Sequence, residues 1–306
     1  MQGRVINLNG GLYQVVLTNN EVIAVKARGK LRSVKASMVN AKAISKKEEI
    51  TVMKQSPKVG DLVIIENDMI DTILTRKNEL IRPDIANVDQ ILLVFAAKEP
   101  DFSFYLLDLF IANITKQNIE PLIVISKIDK LTSKELLDLK QDMAYYENLG
   151  YTVLYVNSKT GEGVSSIEEH LIDKVTVLSG QTGAGKSTLI NAIIPNFQLQ
   201  TQEISQALGR GKHTTRQTTL YDYKGGYIGD TPGFSKLDVL GIDKNELKTL
   251  FVDFNECKCK FKDCIHQKNA FGCGVIEAVA EKKILKSRHE SYLKMLDLIC
   301  SKDGRR

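Results

Sequence analysis

Gly180-Gln181-Thr182-Gly183-Ala184-Gly185-Lys186-Ser187 fits the pattern G-x-x-x-x-G-K-[ST] at every fixed position. The short β-branched run Val175-Thr176-Val177-Leu178 precedes it, and Ser187 to Ile194 reads as a helix, with Thr188 in its first turn. Strand, glycine-rich turn and helix N-terminus together form a phosphate cradle. The glycines let backbone N–H groups point inward, and the helix dipole favours the anion. In such a cradle Lys186 reaches the β and γ phosphates and Ser187 Oγ ligates Mg²⁺.

The flanking motifs stand in an unusual order. Downstream, Tyr227-Ile228-Gly229 leads into Asp230-Thr231-Pro232-Gly233, a D-x-x-G arrangement. It puts Asp230 at or behind Mg²⁺ and the Gly233 N–H on the γ-phosphate. Between the two lies Gly209-Arg210-Gly211-Lys212-His213-Thr214-Thr215-Arg216, whose glycines, charge and lack of hydrophobic period predict a mobile switch loop. One threonine there must reach Mg²⁺ and the γ-phosphate; Thr215, next to Arg216, is chosen over Thr214. Upstream, the apolar strand Pro121–Ile125 ends in Ser126-Lys127-Ile128-Asp129, which matches N-K-x-D except for serine in place of asparagine. Asp129 can accept from guanine N1–H and the N2 amine together. Adenine has neither donor and would leave the carboxylate unpaired, which gives specificity. The Lys127 stem lies along the purine, and Asn157-Ser158-Lys159, after the strand Thr152–Val156, fills the slot whose backbone contacts guanine O6. Base-reading motifs thus precede the phosphate loop, where the ordinary chain has them last. A circularly permuted GTPase domain accounts for that order, and Asp129 argues against an ATPase or kinase.

At 306 residues and 43% hydrophobic, the chain is long enough for two or three domains. No apolar run approaches a membrane span, and Met1-Gln2-Gly3-Arg4 opens no signal peptide, so a cytoplasmic protein is expected. Net charge is +5, but residues 1–60 carry 11 Lys/Arg against 3 Asp/Glu. That local excess suggests a nucleic-acid face. The same segment reads as short strands (Gly3–Ile6, Leu12–Leu17, Glu21–Lys26, Val59–Ile65), which fit a small barrel of the oligonucleotide-binding (OB) type. Arg28, Lys30 and Arg32 lie where they could meet phosphates.

From about residue 70, strands alternate with helices, which predicts a parallel sheet with covered faces. Asp101 is expected to cap a helix over Phe104–Thr115, and Thr132-x-x-Glu135 forms a capping box for the next. Past Phe234 the strands stop. Asp243-x-x-Glu246 caps a helix, and a last helix carries Leu285, Tyr292, Leu296 and Ile299 on one stripe. Lys282, Lys283, Lys286, Arg288 and Lys294 are read as largely off that stripe. Between these helices lie four of the five cysteines and one histidine, within residues 257–273. Cys259-x4-Cys264-x-His266-x6-Cys273 supplies four ligands for one tetrahedral, structural zinc, with Cys257 a spare or an alternate for Cys259.

A basic small barrel, a permuted GTPase and a C-terminal Cys/His segment together resemble the RsgA family, the ribosome small-subunit-dependent GTPases of bacteria. The resemblance spans essentially the whole chain. It implies three parts: an OB-fold RNA-binding domain (1–68), a circularly permuted α/β P-loop GTPase domain (69–238) and an α-helical zinc-binding domain (239–306). It further implies a monomer that binds the small ribosomal subunit and its rRNA, works alongside other assembly factors, and hydrolyses GTP when stimulated there. The position after D-x-x-G, where many GTPases keep a water-orienting glutamine, holds Phe234. The resemblance assigns that work to His213. The competing function is a guanine-nucleotide-gated RNA-binding module that responds to stress alarmones, with incidental hydrolysis.

Overall fold

The computed structural model describes residues 1–33, 56–80, 83–195, 197, 218–230 and 241–303. The chain divides into two compact units, one of residues 1–89, 171–177 and 201–233, the other of the remainder.

In the first unit, β1 (Gln2–Asn9), β2 (Leu12–Leu17), β3 (Val22–Ser33), β4 (Leu62–Glu66) and β5 (Met69–Ile73) close into a barrel in the order β1-β2-β3-β5-β4. Alternate residues point inward, so Val5, Val15, Leu17, Val25, Val63, Ile65, Ile70 and Ile73 fill the barrel. β5 carries the barrel past residue 68. Asn67 and Asp68, at φ +49° and +58°, form a two-residue hairpin turn joining β4 to β5 instead of leaving the domain. A bidentate pair follows, Arg76 Nε and Nη2 to the buried Asp61 carboxylate at 2.7 and 2.8 Å, and then the ribbon β6 (Glu79–Leu80) and β7 (Ile85–Ala86).

The second unit starts with β8 (Gln90–Ala96), buried along its whole length as a strand covered on both faces must be. Then come α1 (Phe104–Lys116), β9 (Glu120–Ser126), α2 (Ser133–Asn148), β10 (Thr152–Val156) and α3 (Val164–Leu171). β11 (Val175–Gly180) begins in the first unit and ends in the second, where α4 (Lys186–Ile193) follows. Strand order here is β10-β9-β8-β11, and β8, β9 and β10 pair in parallel. In the first unit, β12 (Thr219–Tyr223) and β13 (Gly226–Asp230) form an antiparallel hairpin, with β13 parallel to β11. Of this hairpin, the sequence pattern marks β13 but not β12.

Helix caps test the local reading. Thr132 and Glu135 form the expected capping box on α2. The cap of α1 is Ser103 rather than Asp101: Ser103 Oγ accepts from the Leu106 N–H at 3.3 Å. Asp101 contributes its backbone carbonyl, which accepts from Gln181 Nε2 at 2.9 Å.

The C-terminal segment is helical: α5 (Lys244–Leu250), capped by Asp243, then α6 (Gly274–Ala280) and α7 (Lys286–Asp303). Leu247, Leu250, Phe251, Phe254, Tyr292, Met295 and Leu296 share one core with Leu109 and Ala112 of α1. Arg288 corrects the sequence reading. It is 1% exposed, with Nη1 donating to Asp108 at 2.6 Å and Nη2 to Asp253 at 3.0 Å. Its guanidinium also lies 4.4 Å from the Phe251 ring centroid. Partners on α1 and on the turn after α5 turn a basic surface position into a core one.

Candidate functional site

The phosphate loop is the turn from β11 to α4. Gly180 sits at φ +118°, and a Cβ there would lie 2.1 Å from the Val94 carbonyl oxygen, so the approach to β8 requires glycine. The Gln181 N–H donates to that same carbonyl at 3.0 Å. The Gln181 side chain clasps the two ends of segment 96–101, which leaves β8. Its Oε1 accepts from the Ala96 N–H at 3.3 Å, and its Nε2 holds Asp101. Gly183 and Gly185 take φ of +78° and +84°, the left-handed region glycine enters without strain. Lys186 Nζ donates to the Gly180 and Gln181 carbonyls at 3.0 and 2.8 Å, and burial lowers its pKa. Thr182, Ser187 and Thr188 are exposed around the loop, and Ala184 is buried beneath it.

The base motif is fastened to this loop. Ser126, the last residue of β9, is buried, and its hydroxyl lies 2.5 Å from the Ala184 carbonyl and 3.1 Å from that of Phe95. Lys127, at φ +56°, donates from Nζ to the Gly183 carbonyl at 2.8 Å and also to that of Glu99. Two adjacent residues of one motif therefore hold two adjacent carbonyls of the other. Serine's shorter side chain still supplies the one donor that the bridge needs. Asp129 lies in the 3-10 turn Ile128–Lys130, with Oδ2 3.9 Å from Lys159 Nζ. Buried Asn157 shapes the second base loop: its Oδ1 accepts from the Lys159 N–H at 3.1 Å, across the half-buried Ser158.

The remaining sequence-predicted residues are not all within view. Asp230 ends β13, but its side chain lies outside the described residues, as do His213, Thr214, Thr215, Gly233 and Phe234 altogether. On the barrel, Arg28 is paired with Asp71. Lys30 and Arg32 belong to β3, and their side chains are not described.

Cys259, Cys264, His266 and Cys273 converge, with all four ligand atoms within 4.8 Å of one another. His266 Nδ1 lies 3.5, 3.7 and 3.4 Å from the sulfurs of Cys259, Cys264 and Cys273, and the Cys259 and Cys273 sulfurs are 4.0 Å apart. A zinc tetrahedron with bonds of about 2.3 Å to sulfur and about 2.1 Å to nitrogen has edges of about 3.6–3.8 Å. The donor set fits that ion in chemistry and in size. Burial lowers the His266 pKa to about 4, which keeps the ring neutral as a ligand must be. Around it, His289 Nε2 donates to the His266 carbonyl at 3.1 Å and the Tyr292 hydroxyl to the Ile265 carbonyl at 2.8 Å. Cys257 is not part of the cluster: its thiol lies 3.8 Å from the Asp253 carbonyl. Sequence reasoning missed the Gln181 clasp and this supporting shell, because each rests on residues the motifs leave unspecified.

The chain is similar to known proteins over nearly its whole length. The family model described as RsgA GTPase matches residues 73–240. The chain is 40% identical over 303 residues to the Small ribosomal subunit biogenesis GTPase RsgA of Onion yellows phytoplasma (strain OY-M), covering 96% of each chain. It is 37% identical over 305 residues to the protein of that name in Pediococcus pentosaceus, covering 97% of this chain and 92% of that one. Among solved structures it is similar to YjeQ from Thermotoga maritima, with a TM-score of 0.81, 32% identity and coverage of 100% and 99%. It is also similar to YloQ, a circularly permuted GTPase, with a TM-score of 0.77, 33% identity and coverage of 100% and 96%. With its phosphate loop downstream of its base motif, this chain belongs to the RsgA GTPase family.

Proposed function

We propose that this protein binds the small ribosomal subunit, assists its late maturation, and hydrolyses GTP to GDP and phosphate when stimulated there. The observation that carries the nucleotide half is the fastening of Ser126 and Lys127 onto the Ala184 and Gly183 carbonyls. A nucleotide read at one end by Asp129 is thereby held in register with the phosphate loop at the other. The relatives' shared name, small ribosomal subunit biogenesis GTPase, supports the ribosomal half.

In this reading the phosphates rest on the backbone of Gly180–Ser187, with Lys186 released from its own loop to reach them and Thr188 beside them. Asn157, Ser158 and Lys159 close over the base. Ser187 and Thr215 would hold Mg²⁺, which supplies charge neutralisation on the phosphates. Asp230 and Gly233 read the γ-phosphate, and His213 orients the attacking water once the subunit orders its loop. Cys259, Cys264, His266 and Cys273 would hold one structural zinc, since four protein ligands leave no open position. The barrel is of the OB type and carries Arg28, Lys30 and Arg32 to rRNA phosphates, Arg28 exchanging Asp71 for them. The protein works in the cytoplasm as a monomer alongside other assembly factors; among the described residues no helix is long and apolar enough to cross a membrane. The direct test is steady-state GTP hydrolysis with and without isolated small subunits, where a rate unchanged by subunits would remove the proposal.

A further inference from the structure

We infer that the loops around the metal cluster carry a base-stacking platform for unpaired RNA, built from Phe261 and Phe271 with Lys260 between them. The inference rests on the ribosomal reading above for its class of partner, and on the following geometry for its place.

Of the described phenylalanines, only Phe261 and Phe271 are exposed, at 50% and 74%. Lys260 Nζ lies 5.9 Å from the Phe261 ring centroid and 4.7 Å from that of Phe271, so the two rings flank one cation. Their backbones are tied as well: the Lys260 N–H donates to the Gly272 carbonyl at 2.8 Å. Phe261 stands two residues after Cys259, and Phe271 two residues before Cys273. The converged ligands therefore anchor both loops, and the rings sit on a stiff base instead of folding into the core cluster nearby. Lys258, Lys262 and Lys268 belong to the same loops, with Asp263 the one acidic residue between 258 and 271.

Each feature has a use on a single strand. Two rings held out in water lose apolar burial unless a partner covers them. Unpaired bases present faces that stack on such rings whatever their sequence, and the lysines meet the phosphates between them. Duplex RNA does not fit, because its bases already stack on one another and show only edges and backbone. An acidic protein surface would use the lysines and have no need of the rings.

The test uses the zinc-loaded full chain and two fluorescein-labelled probes, a ten-nucleotide oligouridylate and a ten-base-pair RNA duplex, with anisotropy read over a salt series. The single strand should bind more tightly than the duplex. F261A with F271A should weaken it about tenfold per ring at unchanged salt slope, and F261Y with F271Y should restore it. K260Q should lower the slope by about 0.7, the value for one phosphate on a single strand. Zinc content and unstimulated GTP hydrolysis should stay as in the parent protein. The chain has no tryptophan, so F271W provides one local reporter, whose emission should change as the oligonucleotide saturates. Single-strand affinity within twofold of the parent in the double alanine variant, equal binding of the duplex, or F271W emission indifferent to RNA would each overturn the platform. Stimulation by small subunits is measured separately. Its absence alongside ring-dependent oligonucleotide binding would remove the ribosomal reading and leave the platform standing.

Discussion

Replacing Arg288 by methionine removes one charge from the least exposed ionic cluster in the described fold. The guanidinium is 1% exposed, and its partners Asp108 and Asp253 are 0% and 4% exposed. The Tyr146 and Tyr145 hydroxyls also donate to these carboxylates, at 2.9 and 2.7 Å. Burial pushes the Asp108 carboxyl above the usual carboxylate range, with the Arg288 charge opposing it, while both carboxylates hold the arginine firmly charged. Methionine fills much of the same volume, so the loss is electrostatic rather than a cavity. Breaking a buried pair and leaving its partner behind costs about 3–5 kcal/mol. At a urea dependence of about 1–3 kcal/mol per molar, the unfolding midpoint of the C-terminal segment falls by about one molar or more. Near-ultraviolet circular dichroism of the tyrosines, or protease cleavage after α5, follows that transition. Adding Asp108→Asn and Asp253→Asn should recover most of the loss, because neutral amides still accept from both tyrosines and no charge stays unpaired. A single variant within about 1 kcal/mol of the parent, or a triple variant no better than the single one, would refute this reasoning.

Asp129→Asn should weaken GTP binding at least about 100-fold, since two hydrogen bonds to a charged acceptor are worth about 1.5–3 kcal/mol each. It should gain affinity for xanthosine triphosphate; nucleotide titration of both proteins reads this out. Elemental analysis should find one zinc per chain, lost in Cys259→Ser and kept in Cys257→Ser. Chelation should open residues 241–303 to protease while nucleotide binding persists. Neutralising Arg28, Lys30 and Arg32 together should weaken subunit association at unchanged GTP affinity. The salt slope of association should flatten with each phosphate that is no longer neutralised.

Much of this is legible in the sequence because it is local. The phosphate loop, its strand and its helix are contiguous, so motif order alone reveals the permutation. Thr132 and Glu135 are three residues apart, and their capping box follows from spacing. Cys259, Cys264, His266 and Cys273, which could hold a metal, fall within fifteen residues, and their chemistry selects them. What escapes depends on distance along the chain or on choices between near-equivalents. Asp101 and Ser103 are both good caps, and only the bond to the Leu106 N–H distinguishes them. Arg288 sits among lysines and reads as solvated, since its partners are 180 and 35 residues away. Ser126 reads as a weakened motif, because the carbonyl its hydroxyl meets, that of Ala184, lies 58 residues on. Asn67-Asp68 carries a hairpin signal, yet it coincides with a change of pattern and so reads as a boundary.

In the proposed function, a slow GTPase becomes fast on the small ribosomal subunit through a group in the loop from Gly209 to Arg216. Steady-state GTP hydrolysis by the parent protein and by His213→Ala, each with and without saturating isolated small subunits, tests it most directly. The account predicts strong stimulation of the parent, and a variant that binds GTP and subunits normally but loses most of the stimulated rate while its slow basal rate is nearly unchanged. A parent rate indifferent to subunits would contradict the function, and full stimulation of the variant would contradict the role of His213.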